Sequence, residues 1–340
     1  SVPARVYYPV RKDAVSGLSQ PRTLSPNVVA GIKKVFHLPI SFDRMEKTGE
    51  NVSECYENAP FIEGEHFPLI LFNHGLYSCR EENSFLCIEL ASHGYAVISV
   101  THPLEASCAE LDDGTVIFAD KKVTAGRYQP FWKAYLELKR FEKMKGTDKE
   151  LSDRFSELER LYCRRENDRI EEWVKDNEAA LGYAKEHFSE LIDFSKGIGA
   201  AGLSMGGNTS YRLCARNEEF ACGVNIDGGL FGDYSEDILT KPFLQINCRA
   251  NRNASVRAFL RHTEPVFGVI FRDMKHMGFS DMKHMMKSGN TMGRLSSGEM
   301  HENLCRCFLE FFDAYLKRVK AEPEIKSNDV ITVTRYEAYL

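Results

Sequence analysis

The sequence predicts an α/β fold, in which a doubly wound and mostly parallel sheet carries a charged helical insertion. Short apolar runs bounded by turn residues recur along the chain, and stretches with helical spacing lie between them. The chain also has 340 residues, of which 43% are hydrophobic, and this is enough to bury a sizeable core. A disordered or fibrous protein is therefore not expected.

The predicted strands are continuous apolar runs, which are typical of strands buried on both faces of a parallel sheet. In chain order they cover residues 67–73, 95–101, 197–203, 221–227, 242–247 and 266–272. The segments with helical spacing cover residues 81–93, 206–217, 255–262 and 299–320. A mixed α+β topology is the alternative to this arrangement.

Residues 139–176 interrupt the alternation, because 22 of these 38 residues are Asp, Glu, Lys or Arg. One apolar stripe runs through the segment at spacings of three and four, and consists of Leu151, Phe155, Leu158, Leu161 and Tyr162. We expect a helical insertion over residues 131–195, which includes a helix over 169–187, within a single domain of residues 1–340. Its role is open to three interpretations: a lid, a contact surface in a homodimer, or a solvated face.

The charge balance limits the classes of partner. Lys and Arg number 44 and Asp and Glu 49, so the net charge is −5 and provides no general basic field for nucleic acid. The clearest local basic patch is Arg249, Arg252, Arg257 and Arg261. No apolar run approaches the about 20 residues that span a bilayer, so at most a peripheral membrane contact is expected.

The cysteines and the first residues suggest a compartment. Ten cysteines in a chain of this size are expected to be buried, reduced thiols, which favours the cytoplasm. Residues 1–10 have the pattern of a strand rather than that of a signal peptide.

Ser204 is the predicted nucleophile. It lies in Gly202-Leu203-Ser204-Met205-Gly206-Gly207, between a predicted strand and a predicted helix. A serine on such a tight turn needs small neighbours and presents its Oγ at a helix N-terminus, where the N–H of Met205 can stabilise an oxyanion. An ordinary glycine-rich turn is the alternative.

The segment His74-Gly75-Leu76-Tyr77 follows the first predicted strand of the sheet. The loop in this position is expected to supply the second oxyanion donor, and the N–H of Leu76 is the best candidate. His74 fits a structural role better than a catalytic one.

The acid and the base are expected to follow the serine in the order Ser, Asp or Glu, His. Asp227 ends the next strand, and residues 248–263 after the strand beyond it contain no acid, so Asp227 is favoured over Asp233 and Asp237. For the base we favour His276, which is closer to the end of a strand than His284 in the second copy of Asp-Met-Lys-His-Met.

Together these motifs resemble the α/β-hydrolase superfamily. GLSMGG around Ser204, the His74-Gly75-Leu76 segment, Asp227 and the HMGFSD segment after His276 are similar to its platelet-activating-factor acetylhydrolase (group VII phospholipase A2) and dienelactone-hydrolase-like branch. The elbow departs from that branch by carrying Leu203 where a histidine is usual. The resemblance implies an α/β-hydrolase fold and a Ser-His-Asp esterase that acts on short-chain acyl or lipid esters.

The expected mechanism proceeds through an acyl-enzyme and requires no cofactor and no metal. We expect substrate contacts from His74, Tyr77, His102 and Leu203. The same triad could instead cleave a thioester or an amide. A binding protein on this fold is a third hypothesis, which the filled catalytic positions disfavour.

Overall fold

A computed structural model describes residues 1–36, 45–47, 50–123, 130–163, 166–285 and 289–339. The strands are β1 Ala4–Tyr7, β2 Leu69–Asn73, β3 Ala96–Val100, β4 Cys108–Glu110, β5 Val116–Phe118, β6 Ile198–Leu203, β7 Phe220–Ile226, β8 Phe243–Cys248, β9 Val266–Phe271 and β10 Ile331–Tyr336. The helices are α1 Pro26–Val35, α2 Ser84–Ser92, α3 Phe131–Phe141, α4 Asp148–Tyr162, α5 Glu166–His187, α6 Met205–Arg216, α7 Met282–Met285, α8 Gly289–Met292 and α9 Ser297–Tyr315.

Eight of these strands form one sheet in the order β1-β3-β2-β6-β7-β8-β9-β10. The two outer strands run antiparallel to their neighbours, and the six between them are parallel. The carboxyl ends of the six parallel strands therefore meet at one edge of the sheet, where sites form in such folds. The predicted α/β class is confirmed.

Helices cover both faces of the sheet. Neighbouring residues of a strand point to opposite faces, so apolar strands need helices on both sides. Ile70 and Phe72 of β2 belong to the core under α2 and α9, whereas Leu69 and Leu71 belong to the core under α4, α5 and α6. All four side chains are buried. Burial on both faces explains why the strands appear in the sequence as continuous apolar runs.

The prediction of an α-helix over residues 255–262 is wrong, because the chain forms a 3₁₀ segment at Arg252–Phe259 instead. The Oγ of Ser255 donates to the carbonyl of Arg252 and lies 2.9 Å from Oδ1 of Asn247. A serine side chain that bonds to a nearby carbonyl competes with a regular helix, and Ser255 makes such a bond here.

Helix α4 packs on this 3₁₀ segment through charge and apolar contact. Arg257 forms an ion pair of 2.6 Å with Glu159, and Arg252 forms one of 2.6 Å with Asp148. Two arginines of the predicted basic patch therefore have acidic partners that are distant in sequence. The four buried stripe residues are Leu151, Phe155, Leu158 and Tyr162.

Leu161 departs from the predicted apolar stripe, because its side chain is 40% exposed. At about 100° per residue it lies roughly 90° to one side of the mean direction of the other four. The stripe is thus narrower than the sequence suggested.

No disulfide joins the ten cysteines, all of which lie in described residues, and all except Cys55 are buried. Within the described chain, no helix combines the length and apolar character needed to cross a membrane. Met282, Met285 and Met292 pack with α1 rather than lining an open surface.

Candidate active site

Ser204 occupies a sharp turn between β6 and α6, with a positive φ of 58°. A Cβ added to Gly206 would lie 2.2 Å from the carbonyl oxygen of Asn73, and one added to Gly202 would lie 2.4 Å from the backbone of Gly206. Only glycine fits at these two positions. The turn therefore depends on both glycines. It places Ser204 at the N-cap of α6, directly before the first helical residue.

Ser204, His276 and Asp227 form a hydrogen-bonded chain. Nε2 of His276 lies 3.0 Å from Oγ of Ser204, and Nδ1 lies 2.8 Å from Oδ2 of Asp227. This arrangement assigns the proton to Nδ1, so that Nε2 accepts from the serine hydroxyl. The three residues come from the carboxyl ends of three different strands, β6, β7 and β9.

Asp227, the last member of this hydrogen-bonded series, is held in a fixed position. Its side chain is fully buried, and its backbone is in the left-handed region with φ 55°. The N–H of Cys248 donates to Oδ1 at 2.6 Å, and the amide of Asn251 donates to Oδ2 at 2.8 Å. These donors stabilise a buried carboxylate and orient it towards His276.

The environment of His276 favours its protonated form. Burial lowers the pKa of the imidazole, but the hydrogen bond and charge of Asp227, followed by the charge of Glu82, raise it, and the net direction is upward. The side chain nevertheless keeps 39% of its surface exposed. An imidazole with a raised pKa and one open side is suited to general base chemistry near neutral pH.

The loop of residues 74–78, which follows β2, lies beside Ser204. A Cβ added to Gly75 would be 3.4 Å from Cβ of Ser204. The N–H of Tyr77 donates to the carbonyl of Glu105 at 2.8 Å, and that of Ser78 donates to the carbonyl of Gly75 at 3.0 Å. Across the described residues, no backbone carbonyl accepts a hydrogen bond from the N–H of Leu76, which fits the predicted donor.

Met205 is the first residue of α6, so its N–H lies at the positive end of the helix dipole. Its side chain packs with Ile170 and Trp173 of α5, and Leu76 packs against the same cluster. An apolar wall therefore lies next to the two predicted donors.

Three of the four residues expected to contact substrate are buried instead: His74, His102 and Leu203. Nδ1 of His74 donates to the carbonyl of Gly75 at 2.6 Å, and Nε2 accepts from the N–H of His102 at 3.2 Å. Burial and the neighbouring His102 lower the pKa of His74 to about 3. His74 and His102 therefore support the loop through these hydrogen bonds, whereas Tyr77 remains partly exposed, with φ 62°.

His102 joins the sheet to the helix α5. Its Nδ1 lies 2.8 Å from Oδ2 of Asp176, its Nε2 lies 3.0 Å from Oδ1 of Asn73, and its ring stacks on Trp173 at 3.7 Å. The helix of the predicted insertion is thus fastened directly behind the 74–78 loop.

The weaker candidates lie away from Ser204. The ring of His284 packs edge-on against Phe85 at 5.0 Å, Asp237 pairs with Arg216 at 3.0 Å, and Asp233 caps its own turn at Ser235. Among the residues that the structure describes, no group of three His, Cys, Asp or Glu side chains could hold a metal ion.

Sequence reasoning missed Asn251, which binds Asp227, and Glu82, which binds the 74–78 loop. It also missed Ile170 and Trp173, which form the apolar wall. The absence of acids in residues 248–263 already directed attention to the segment of Asn251. The apolar wall could have been recognised from the sequence, because its two residues are spaced three apart in an otherwise charged helical segment.

Comparison with known proteins supports the resemblance noted from the sequence. A family model described as "Platelet-activating factor acetylhydrolase, isoform II" matches residues 1–304. The chain is 26% identical over 271 residues to a platelet-activating factor acetylhydrolase from Cavia porcellus. The aligned region covers 76% of this chain and 60% of that protein. With the Bos taurus protein of the same name the identity is 31% over 201 residues, covering 56% and 42%. The matched region thus spans 60% or less of the length of these relatives.

A solved structure shows the same architecture. A ferulic acid esterase from Streptomyces cinnamoneus superposes with a TM-score of 0.67, covers 98% of this chain and 88% of the other, and is 16% identical. The fold is therefore that of the α/β-hydrolases, as the sequence predicts. Because the family model extends over residues 1–304 of the 340, the chain belongs to the platelet-activating factor acetylhydrolase, isoform II family.

Proposed function

We propose that the protein is a serine carboxylic-ester hydrolase in which Ser204, His276 and Asp227 act as a catalytic triad. The observation that carries this proposal is the unbroken hydrogen-bonded chain from Oγ of Ser204 through the imidazole to Asp227. It supports nucleophilic catalysis because a serine hydroxyl needs an adjacent base, and the base needs an orienting group.

In the proposed reaction, Oγ of Ser204 attacks the ester carbonyl carbon while Nε2 of His276 takes the hydroxyl proton. The carbonyl electrons move to oxygen, and the N–H groups of Leu76 and Met205 stabilise the oxyanion. Each such donor is worth roughly 3 to 4 kcal/mol of barrier in comparable enzymes. When the intermediate collapses, the alkoxide leaves with the proton from His276. A water molecule then repeats the attack on the acyl-enzyme and releases the acid.

The proposed substrates are short-chain acyl esters or lipid esters. The relatives are named acetylhydrolases of platelet-activating factor, and an acetyl group is an acyl chain of only two carbons. In the apolar cluster beside the donors, Ile170 and Trp173 are fully buried, so only Met205 and Leu76 keep surface that an acyl group could contact. This small apolar surface supports a short acyl group as the substrate.

The experiment uses a fluorophosphonate probe together with a series of substrates. We expect the purified protein to label at Ser204 and to hydrolyse p-nitrophenyl acetate and butyrate faster than the laurate ester. Ser204→Ala should abolish both labelling and turnover. Wild-type protein that labels no better than Ser204→Ala would contradict the catalytic hypothesis.

A second comparison tests the reaction type. The same preparations are assayed with an acyl-CoA and with a peptide anilide. Turnover of either one at a higher kcat/KM than that of the short esters would replace the esterase proposal with a thioesterase or an amidase.

A further inference from the structure

A second carboxylate, which the proposed triad does not use, lies beside the nucleophile. Glu82 keeps only 8% of its surface exposed, and its Oε2 accepts a hydrogen bond of 2.6 Å from the N–H of Gly75. A Cβ added to Gly75 would lie 3.3 Å from that oxygen and 3.4 Å from Cβ of Ser204. The carboxylate and the serine thus flank one glycine of the 74–78 loop.

The segment that carries Glu82 also holds the segment that carries His276. The backbone carbonyl of Glu82 accepts from the N–H of Asp281 at 2.8 Å, and the amide of Asn83 donates to the carbonyl of Phe279 at 2.7 Å. The N–H of Phe85 donates to Oδ2 of Asp281 at 3.0 Å. Residues 82–85 therefore bridge the loop that supplies the predicted oxyanion donor and the loop that supplies the base.

We propose that Glu82 is a positioning residue of this site: its carboxylate fixes the 74–78 loop through Gly75, and its charge favours the imidazolium of His276. The inference rests on the proposed function of Ser204 and His276. Anchoring the N–H of Gly75 also restrains the N–H of Leu76, because only the φ and ψ rotations of Gly75 separate the two peptide planes. A shift of the donor by about 1 Å is enough to weaken catalysis on the order of 100-fold.

The electrostatic part depends on the groups that face Glu82. These are His276 and Asp281 from the base segment and Cys79 from its own loop. Burial raises the pKa of Glu82 to about 6, although the Gly75 N–H, the Ser78 hydroxyl and the His276 charge lower it. Above about pH 6 the carboxylate is therefore mostly ionised, and its charge adds to that of Asp227 in raising the pKa of His276.

Two substitutions separate the hydrogen bond from the charge. Glu82→Leu removes the acceptor, and we expect kcat for p-nitrophenyl acetate to fall at least about tenfold with little change in KM. Glu82→Gln keeps an acceptor oxygen for Gly75 without the charge. We expect it to retain kcat within about threefold at pH 8 and to shift the acid limb of the kcat/KM profile to lower pH.

Glu81→Gln is the matched control. Glu81 is the neighbouring residue and is equally buried, but it pairs with Arg5 and Arg80 instead of the loop. We expect this variant to lower the melting temperature without moving the pH profile. Equal kcat losses in the Glu81 and Glu82 variants would show that Glu82 contributes only to folding.

A measurement without turnover completes the test. The titration of His276 is followed by NMR in histidine-labelled wild type and Glu82→Gln, with His276→Ala used for assignment. We expect a lower pKa in the variant, and identical titrations would overturn the inference even if Glu82→Leu fails to fold. If the wild type hydrolyses no ester, the proposed function fails, but this titration still decides the role of Glu82.

Discussion

His276 and His284 occupy the same position in two copies of Asp-Met-Lys-His-Met, and their local sequence cannot separate them. The fold separates them because His276 comes five residues after the end of β9, in a 3₁₀ turn, whereas His284 lies in the short helix α7. Distance from the carboxyl end of a strand is therefore the feature that distinguishes them.

The first prediction uses these two histidines. His276→Ala should lower kcat for p-nitrophenyl acetate by about 10⁴-fold or more, because the serine then has no base. His284→Ala should change kcat by less than about threefold, since its ring packs against Phe85 and His301. Stopped assays on both variants at equal folded concentration measure this. The reverse order of effects would identify His284 as the base.

The second prediction concerns the pH dependence set by Asp227. Activity needs neutral His276, so kcat/KM is high above its pKa and falls as pH drops through it. Asp227 opposes the effect of burial and raises that pKa. Asp227→Asn should therefore move the acid limb to lower pH while lowering kcat by about 10⁴-fold.

The control for this variant is Asp237→Asn, which removes an acid that pairs with Arg216 away from Ser204. It should leave both the limb and kcat unchanged. An acid limb that stays in place in Asp227→Asn would show that another group sets it.

For single residues, the sequence predicted the three candidate catalytic residues, but it did not predict the side chains that hold them in position. Ser204, Asp227 and His276 are found within hydrogen-bond distance, as their places at strand ends suggested. Asn251 and Glu82 were missed because an amide donor and a buried carboxylate have no motif of their own. They are recognisable only when the atoms they bind are known.

Among the elements, the strands were the most predictable. The six predicted parallel strands begin and end within two residues of the observed ones, because burial on both faces leaves a continuous apolar run. The segment Arg252–Phe259 was less predictable, since its 3₁₀ form follows from side-chain hydrogen bonds and from the helix that packs on it. The partners of its arginines lie about one hundred residues earlier.

The third prediction tests this contact between α4 and the 3₁₀ segment. Arg257→Ala leaves Glu159 buried without its cation, and breaking such a pair destabilises a protein by about 3 kcal/mol. Their side chains are only 12% and 11% exposed, so solvent screens the pair weakly. Urea unfolding followed by circular dichroism measures the loss.

Arg249→Ala is the control for that measurement, because Arg249 belongs to the same predicted patch but is exposed. It should change the free energy of unfolding by less than about 0.5 kcal/mol. If both variants lose the same stability, the packing of α4 does not depend on the Arg257–Glu159 pair.

For the whole molecule, the strand order explains why distant segments share one site. β6, β7 and β9 carry the three candidate catalytic residues, and β2 between β3 and β6 carries the 74–78 loop. The sheet then extends beyond the part matched by the family model, which ends at residue 304. β10 follows that point and pairs antiparallel with β9 along its full length, from Ile331 opposite Phe271 to Tyr336 opposite Val266.

The fourth prediction is that β10 protects the edge of the sheet rather than serving the chemistry. Removal of residues 327–340 would expose the backbone groups of β9, and unpaired strand edges promote aggregation. We expect a lower melting temperature and aggregation that rises with concentration, while the remaining monomer still reacts with a fluorophosphonate.

Two point variants refine this test. Ile331→Ala, at a fully buried position, should destabilise by about 2–4 kcal/mol, whereas the exposed Thr334→Ala should be nearly neutral. A truncated chain that stays monomeric, melts like the full chain and loses its reactivity with the probe would place β10 in the active-site architecture instead, because β9 leads directly to His276.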